Sequence, residues 1–142
     1  MTCLNDSNAF VLPVRVYYED TDAGGVVYHA NYLKFMERAR TEWLRTLGFE
    51  QDTLAQELNI VFVVGSLDIQ YRKPARFNDT LNITASISDL GRASMVFKQS
   101  IWRDSSNNSP ELLTTASVKV VCVSMGTFRA ITIPKQIREL LQ

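Results

Sequence analysis

Tyr17-Tyr-Glu-Asp-Thr-Asp-Ala-Gly-Gly-Val-Val-Tyr-His29, continuing through Ala30-Asn31-Tyr32 into a periodic apolar segment ending at Leu47, decides how this chain is read. A Val- and Tyr-rich strand ends in a turn carrying carboxylates, two glycines follow, and a helix opens beside the only histidine. The first N–H groups of a helix have no intrahelical acceptor, so such a junction is suited to receive a negatively charged oxygen. Tyr32, Phe35, Met36, Ala39, Trp43 and Leu47 recur with the helical period, and Leu33 and Leu44 widen the stripe. The spacing predicts a helix over Asn31–Leu47, with Arg45 in its last turn and Gly48 as its C-cap.

Upstream, Val11–Tyr18 reads as a first strand with Pro13 near its start, and residues 1–10 read as a flexible arm. Downstream, Gln51–Leu58 suggests a short helix, and Ile60–Tyr71 a strand in which Leu67, Ile69 and Tyr71 alternate with Asp68, Gln70 and Arg72. Lys73-Pro74 ends it or bends it at an edge. Leu81, Ile83, Ala85 and Ile87 alternate with polar residues in a half-buried strand, and Asp89–Arg92 reads as a hairpin connection. A strand from Ala93 to Arg103 follows, then a polar hairpin tip over Asp104–Pro110. The last long strand, Leu112–Ser124, sets Leu112, Ala116, Val118, Val120 and Cys122 on one face, and Lys135–Leu141 predicts a terminal helix after Pro134. One strand, a long helix and then consecutive antiparallel strands predict an α+β fold. The expected form is a single domain over 1–142, a strongly curved sheet wrapped around one central helix with edges open to a second copy.

The 142 residues are 46% hydrophobic with a formal net charge of +0, which excludes disordered and fibrous classes and argues against nucleic-acid binding. Cys3 and Cys122 are too far apart in sequence to suggest a disulfide framework. The N-terminus lacks the basic start and apolar run of a signal peptide, and no apolar stretch is long enough for a membrane span. A cytoplasmic soluble protein is expected.

Generic motifs fit the turn poorly. Asp20, Asp22 and Gly25 begin like a calcium loop, but Gly24 replaces a ligand and Asn31 stands where the bidentate glutamate belongs. One histidine does not make a zinc site, the glycine spacing is not a phosphate loop, and no Gly-x-Ser-x-Gly elbow exists. No metal or cofactor is implied. Read alone, His29 is a capping or packing residue as readily as a reactive one, Asp22 an Asx-turn or helix-capping carboxylate, and Tyr18 a packed strand residue. Their grouping favours chemistry: a carboxylate, an imidazole, a phenol and a helix start within a dozen residues suit acyl transfer or hydrolysis.

Val14-Arg-Val-Tyr-Tyr-Glu-Asp-Thr-Asp-Ala-Gly-Gly-Val-Val-Tyr-His-Ala-Asn-Tyr32, with Phe35-Met-Glu-Arg-Ala-Arg40, resembles the signature of the 4-hydroxybenzoyl-CoA thioesterase family of hot-dog proteins. Tyr71-Arg-Lys-Pro-Ala-Arg76 and Val118–Val123 are compatible with it. The nearest branch is the acyl-CoA thioesterase encoded with the bacterial Tol–Pal cell-envelope system. The resemblance implies a hot-dog fold and a homodimer made by sheet extension, often paired into a tetramer, with sites at the dimer interface. It implies hydrolysis of acyl-CoA, or of acyl groups on acyl carrier protein, with Asp22 as nucleophile or general base. Tyr18 and His29 then flank Asp22, and backbone N–H groups near His29 polarise the substrate carbonyl. Asp20 is expected to shape the turn, and Glu37 to support the site through Arg38 or Arg40 or to stay solvated. Arg72, Lys73, Arg76 and Arg92 are candidates for CoA phosphates, and Phe35, Val61, Phe62 and Val63 for the acyl slot. The rival readings are a hot-dog dehydratase, which places its histidine and acid differently on the helix, and a non-enzymatic scaffold binding acyl carrier protein.

Overall fold

The computed structural model describes residues 9–105 and 109–142. Cys3, residues 1–8 of the expected arm, and residues 106–108 of the second hairpin tip lie outside them. In chain order the elements are β1 (Phe10–Arg15), α1 (Asn31–Thr46), α2 (Gln51–Leu58), β2 (Ile60–Tyr71), β3 (Thr80–Leu90), β4 (Ser94–Arg103), β5 (Glu111–Ser124) and α3 (Lys135–Leu141). All five strands pair antiparallel in one sheet of order β1-β3-β4-β5-β2.

The stripe on α1 buries Phe35, Met36 and Ala39 completely, against Leu81, Ile83, Ile101 and Phe97 of the sheet. The helix stops as the sequence predicts. Gly48 adopts a left-handed φ of 98°, its N–H donates to the Arg45 carbonyl at 3.0 Å, and the Phe49 N–H reaches back to Leu44 at 2.9 Å. These paired bonds satisfy carbonyls the helix leaves open, in a backbone shape suited to glycine.

The α+β hot-dog class stands, but the expected curved wrap does not. The sheet is an open layer, neither closed nor strongly curled, with β1 and β2 as separate edges. Widths explain this. A helix is about 10–12 Å across with its side chains, whereas five strands at about 4.8 Å spacing make a broader layer. The helix therefore covers part of one face, over β1 and β3, while α2 packs against β2 and the helix-facing side of β2 stays open only in part. Val64, Leu67 and Tyr71 there are each more than two-fifths exposed.

Two local expectations also change. β1 ends at Arg15 rather than Tyr18, because the Asp20 carboxylate draws in the Tyr17 N–H at 2.9 Å and the chain tightens into a 3-10 turn over Tyr18–Asp20. In β5 an extra residue opposite Ile101 and Trp102 shifts the register. Leu113, not Leu112, is the fully buried leucine, and its carbonyl accepts the N–H groups of both Arg72 and Lys73. Among the described residues no helix is long and apolar enough to cross a membrane.

Candidate active site

The turn is a small hairpin closed by a bridge between Thr21 and Val27. The Asp22 N–H donates to the Val26 carbonyl at 2.9 Å, and the Asp22 carbonyl accepts from Gly25 at 3.0 Å. Gly25 has a φ of 80°, a left-handed conformation that side chains strain. Gly24 serves through its small size: its N–H meets Asp22 Oδ1 at 2.8 Å, and a Cβ there would stand 3.2 Å from that oxygen. One carboxylate oxygen is thus tethered. The other has no partner among the described residues and the side chain is exposed.

Two braces fix this hairpin relative to α1. The first is Asp20, 8% exposed. Its Oδ2 accepts the Tyr17 N–H, its Oδ1 accepts Asn31 Nδ2 at 2.9 Å, and its carbonyl accepts the Tyr28 N–H at 2.8 Å. Asp20 shapes the turn, as expected. Asn31, which the sequence reading took only as the helix start, is its buried partner. The available signal was an amide at the first helical position, where it has little intrinsic preference. The second brace runs through the loop after β2. The Ala75 carbonyl accepts the Val27 N–H at 2.8 Å, Val26 bridges to Arg76, and the Ala75 N–H donates to the Tyr32 phenol oxygen at 3.0 Å.

His29 is exposed at the entry to α1, its ring 4.6 Å from Tyr28 and edge-on to Tyr71 at 6.5 Å. The N–H groups of His29 and Ala30 donate to no acceptor among the described residues. Tyr71, a functional neighbour the sequence reading missed, donates its O–H to the His29 carbonyl at 2.9 Å. That bond polarises the peptide unit joining His29 to Ala30 and makes the Ala30 N–H a stronger donor. Burial pushes the Tyr71 phenol above its ordinary pKa, with Tyr32 adding to the rise. Burial raises Tyr32 as well, with a smaller push from the Asp22 charge. Both phenols stay protonated donors at neutral pH.

Tyr18 lies elsewhere. Its ring is 75% exposed and stacks on Phe77 at 3.8 Å, nearly parallel. It contacts neither Asp22 nor His29 among the described residues. Of the candidate phosphate ligands, Lys73 is paired with Glu111 at 2.7 Å, and Arg92 sits on the β3–β4 connection against Thr132. Arg72 and Arg76 flank the Ala75 brace with side chains uncommitted among the described residues. Arg103, not singled out from sequence, joins Asp79 and Glu111 into one ionic chain. Lys73 and Arg103 together hold the Glu111 carboxyl at about 2. The proposed acyl lining is corrected. Phe35 is wholly inside the core, and strand alternation turns Val61 and Val63 to the face opposite Phe62. Glu37 accepts from the Thr41 hydroxyl and pairs with neither Arg38 nor Arg40 among the described residues.

The sequence profile of the thioesterase superfamily matches residues 24–109. The chain belongs to that superfamily. It is 47% identical to the acyl-CoA thioesterase YbgC of Haemophilus influenzae, covering 92% of this chain and 93% of that one. It superposes on a probable thioesterase from Bartonella henselae with a TM-score of 0.82 and 34% identity, over 89% of this chain and 99% of the other. The 4-hydroxybenzoyl CoA thioesterase of Pseudomonas sp. strain CBS-3 has the same fold, with a TM-score of 0.86 at 24% identity over 93% and 98% of the two chains. This thioesterase is therefore an enzyme of the thioester-hydrolase class, and the resemblance read from the Val14–Tyr32 and Phe35–Arg40 blocks holds.

Proposed function

We propose that the protein hydrolyses acyl-CoA thioesters, with acyl carrier protein thioesters as a second carrier class, and that Asp22 acts as nucleophile or general base. The observation that carries this reading is the Asp22 carboxylate. One oxygen is anchored by Gly24 and, among the described residues, the other has no partner and the N–H groups at the helix start to which the hairpin is braced have no acceptor. The acyl-CoA activity named for the Haemophilus influenzae relative supports the substrate class.

On the nucleophilic route, Asp22 Oδ2 attacks the thioester carbon, the C–S bond breaks, and the sulfur leaves as thiolate to be protonated. Water then splits the acyl–aspartyl anhydride into free acid and carboxylate. On the general-base route, Asp22 takes the proton of the attacking water and that proton passes to the departing sulfur. Both routes place negative charge on the carbonyl oxygen, where donors at the start of α1 stabilise the transition state more than the uncharged substrate. His29 supports the carbonyl or the proton transfer, and Tyr18 orients the carboxylate or the water. Because Tyr18 rests on Phe77, its role in this reading needs its ring to leave that stack or to act across an interface.

A homodimer made through the β2 edge, with a tetramer built from it, belongs to the same proposal. The position of β2 as an edge strand of the sheet supports it. A cytoplasmic location also fits the buried free thiol of Cys122. The test is hydrolysis of CoA thioesters of graded chain length beside acyl carrier protein thioesters, with Asp22→Asn as control. The variant should lose about 10²–10⁴-fold in rate. Retention of more than about a tenth of the rate overturns the role of Asp22, and a parent protein inactive on every CoA thioester overturns the substrate class.

A further inference from the structure

Between α1, α2 and the β2–β5 side of the sheet lies a cavity of about 210 Å³. Its walls are apolar: Leu44, Phe62, Val64, Met95, Phe97 and Val120. Its other side is polar, with Glu37, Arg40, Thr41 and Gln51. Arg40 is the unusual member. Its Nη1 donates to Gln99 Oε1 at 3.0 Å and its guanidinium lies over the Phe97 ring at 5.8 Å. Gln99 is 1% exposed and commits its own amide to the carbonyls of Met36 and Thr84, so it fixes Arg40 in place.

No carboxylate forms an ion pair with Arg40 among the described residues. A guanidinium has five N–H donors, and a largely buried one without a counter-ion is costly unless acceptors reach it. Burial accordingly pulls its pKa down, opposed by the charge of Glu37. Glu37 and Arg40 therefore face one cavity without bonding each other. Such a pair suits a neutral hydroxyl, which accepts from the guanidinium and donates to the carboxylate. A carboxylate ligand would meet the repulsion of Glu37.

The cavity is also placed along a line from the reaction centre. Arg40 lies nine residues into the helix from Asn31, about 13 Å at 1.5 Å per residue. The helix-facing side chains of β2, from Tyr71 beside the His29 carbonyl through Ile69 and Leu67 to Val64 at the cavity, make an apolar strip between the two. Building on the proposed acyl-CoA reading, we propose that this cavity receives the far end of the acyl chain and favours a medium-length chain with a terminal hydroxyl, read by Arg40 and Glu37.

The test compares kcat/KM for ω-hydroxydecanoyl-CoA and decanoyl-CoA, with acetyl-CoA as a check on the parent reaction. The parent protein should favour the hydroxylated chain about 10- to 100-fold, the scale of a hydrogen bond to a charged group. Arg40→Met should bring the ratio to within about twofold of one. Because loss of Arg40 strands Gln99, Glu37→Gln at the exposed rim is the second variant, and it should lower the ratio at least about threefold. A parent ratio at or below one, or a ratio unchanged in both variants, overturns the pocket. Turnover of acetyl-CoA and decanoyl-CoA without the preference defeats only this inference. No turnover of any of the three defeats the acyl-CoA reading beneath it.

Discussion

The two flanks of α1 are built to opposite rules. Towards β1 and β3, Phe35, Met36 and Ala39 have no exposed surface and meet Leu81 and Ile83, equally buried. Towards β2, Leu67 keeps 42% of its surface and Val64 and Tyr71 are similarly open. The same contrast recurs on a smaller scale between two carboxylates of one turn. Asp20 is buried and its carboxylate accepts from two donors, while Asp22 is exposed and its second oxygen has no partner among the described residues. Closed parts of this molecule set geometry, and the chemistry proposed here sits where it is left open.

The sharpest way to break that contrast is to truncate one residue on each flank. Phe35→Ala should cost roughly 3–5 kcal/mol in urea unfolding, as large-to-small changes in filled cores do. Leu67→Ala should cost under about 1 kcal/mol in the isolated protomer, since little of its packing is lost. Equal losses would mean that the open flank is covered in solution, and dilution of the sample would then show whether a second copy covers it.

Tyr71 tests whether the open flank acts on the helix start. Tyr71→Phe keeps the ring beside His29 and Tyr32 but removes the O–H from the His29 carbonyl. A fall in kcat of about 5- to 10-fold with KM nearly unchanged is expected, the scale of one neutral hydrogen bond felt through a peptide unit. An unchanged kcat would show that polarising this peptide contributes nothing.

A smaller effect concerns the ionic chain behind the Ala75 brace. The folded pKa of Glu111 lies at about 2, below its ordinary 4.5. A depressed carboxyl contributes stability above its unfolded pKa and loses it as pH falls through the folded one. Its share should therefore fade between about pH 4.5 and 2, and Glu111→Gln should flatten that part of the acid unfolding curve. Because this carboxylate is partly exposed to solvent, added salt should shrink the effect.

Much of this was legible in the chain. The bounds of β2, α2 and α3 match the predicted segments, because alternation and helical period are local properties. The open sheet was not legible, since element order carries no measure of how much of a sheet one helix can cover. The Leu113 insertion was hidden because a one-residue register shift reverses strand faces without altering composition. At the site, Asp20, Asp22 and the glycines sit close in sequence, and their contacts could be anticipated. Asn31 to Asp20, Tyr71 to His29 and Arg40 to Gln99 join residues that only the fold brings together. Tyr18 shows the converse: the resemblance sets it beside Asp22, while its ring packs on Phe77.

The most direct measurement sets the two aspartates against each other, recording hydrolysis rate and urea midpoint for Asp22→Asn and Asp20→Asn. Asparagine at 22 retains an oxygen for the Gly24 N–H, so the fold should stay within about 0.5 kcal/mol of the parent while the rate falls about 10²–10⁴-fold. Asparagine at 20 loses one of two buried acceptor oxygens, so stability should fall by about 1–3 kcal/mol and the rate only in step with the lost brace. An Asp22→Asn protein that folds like the parent and keeps more than about a tenth of its activity would contradict the central claim.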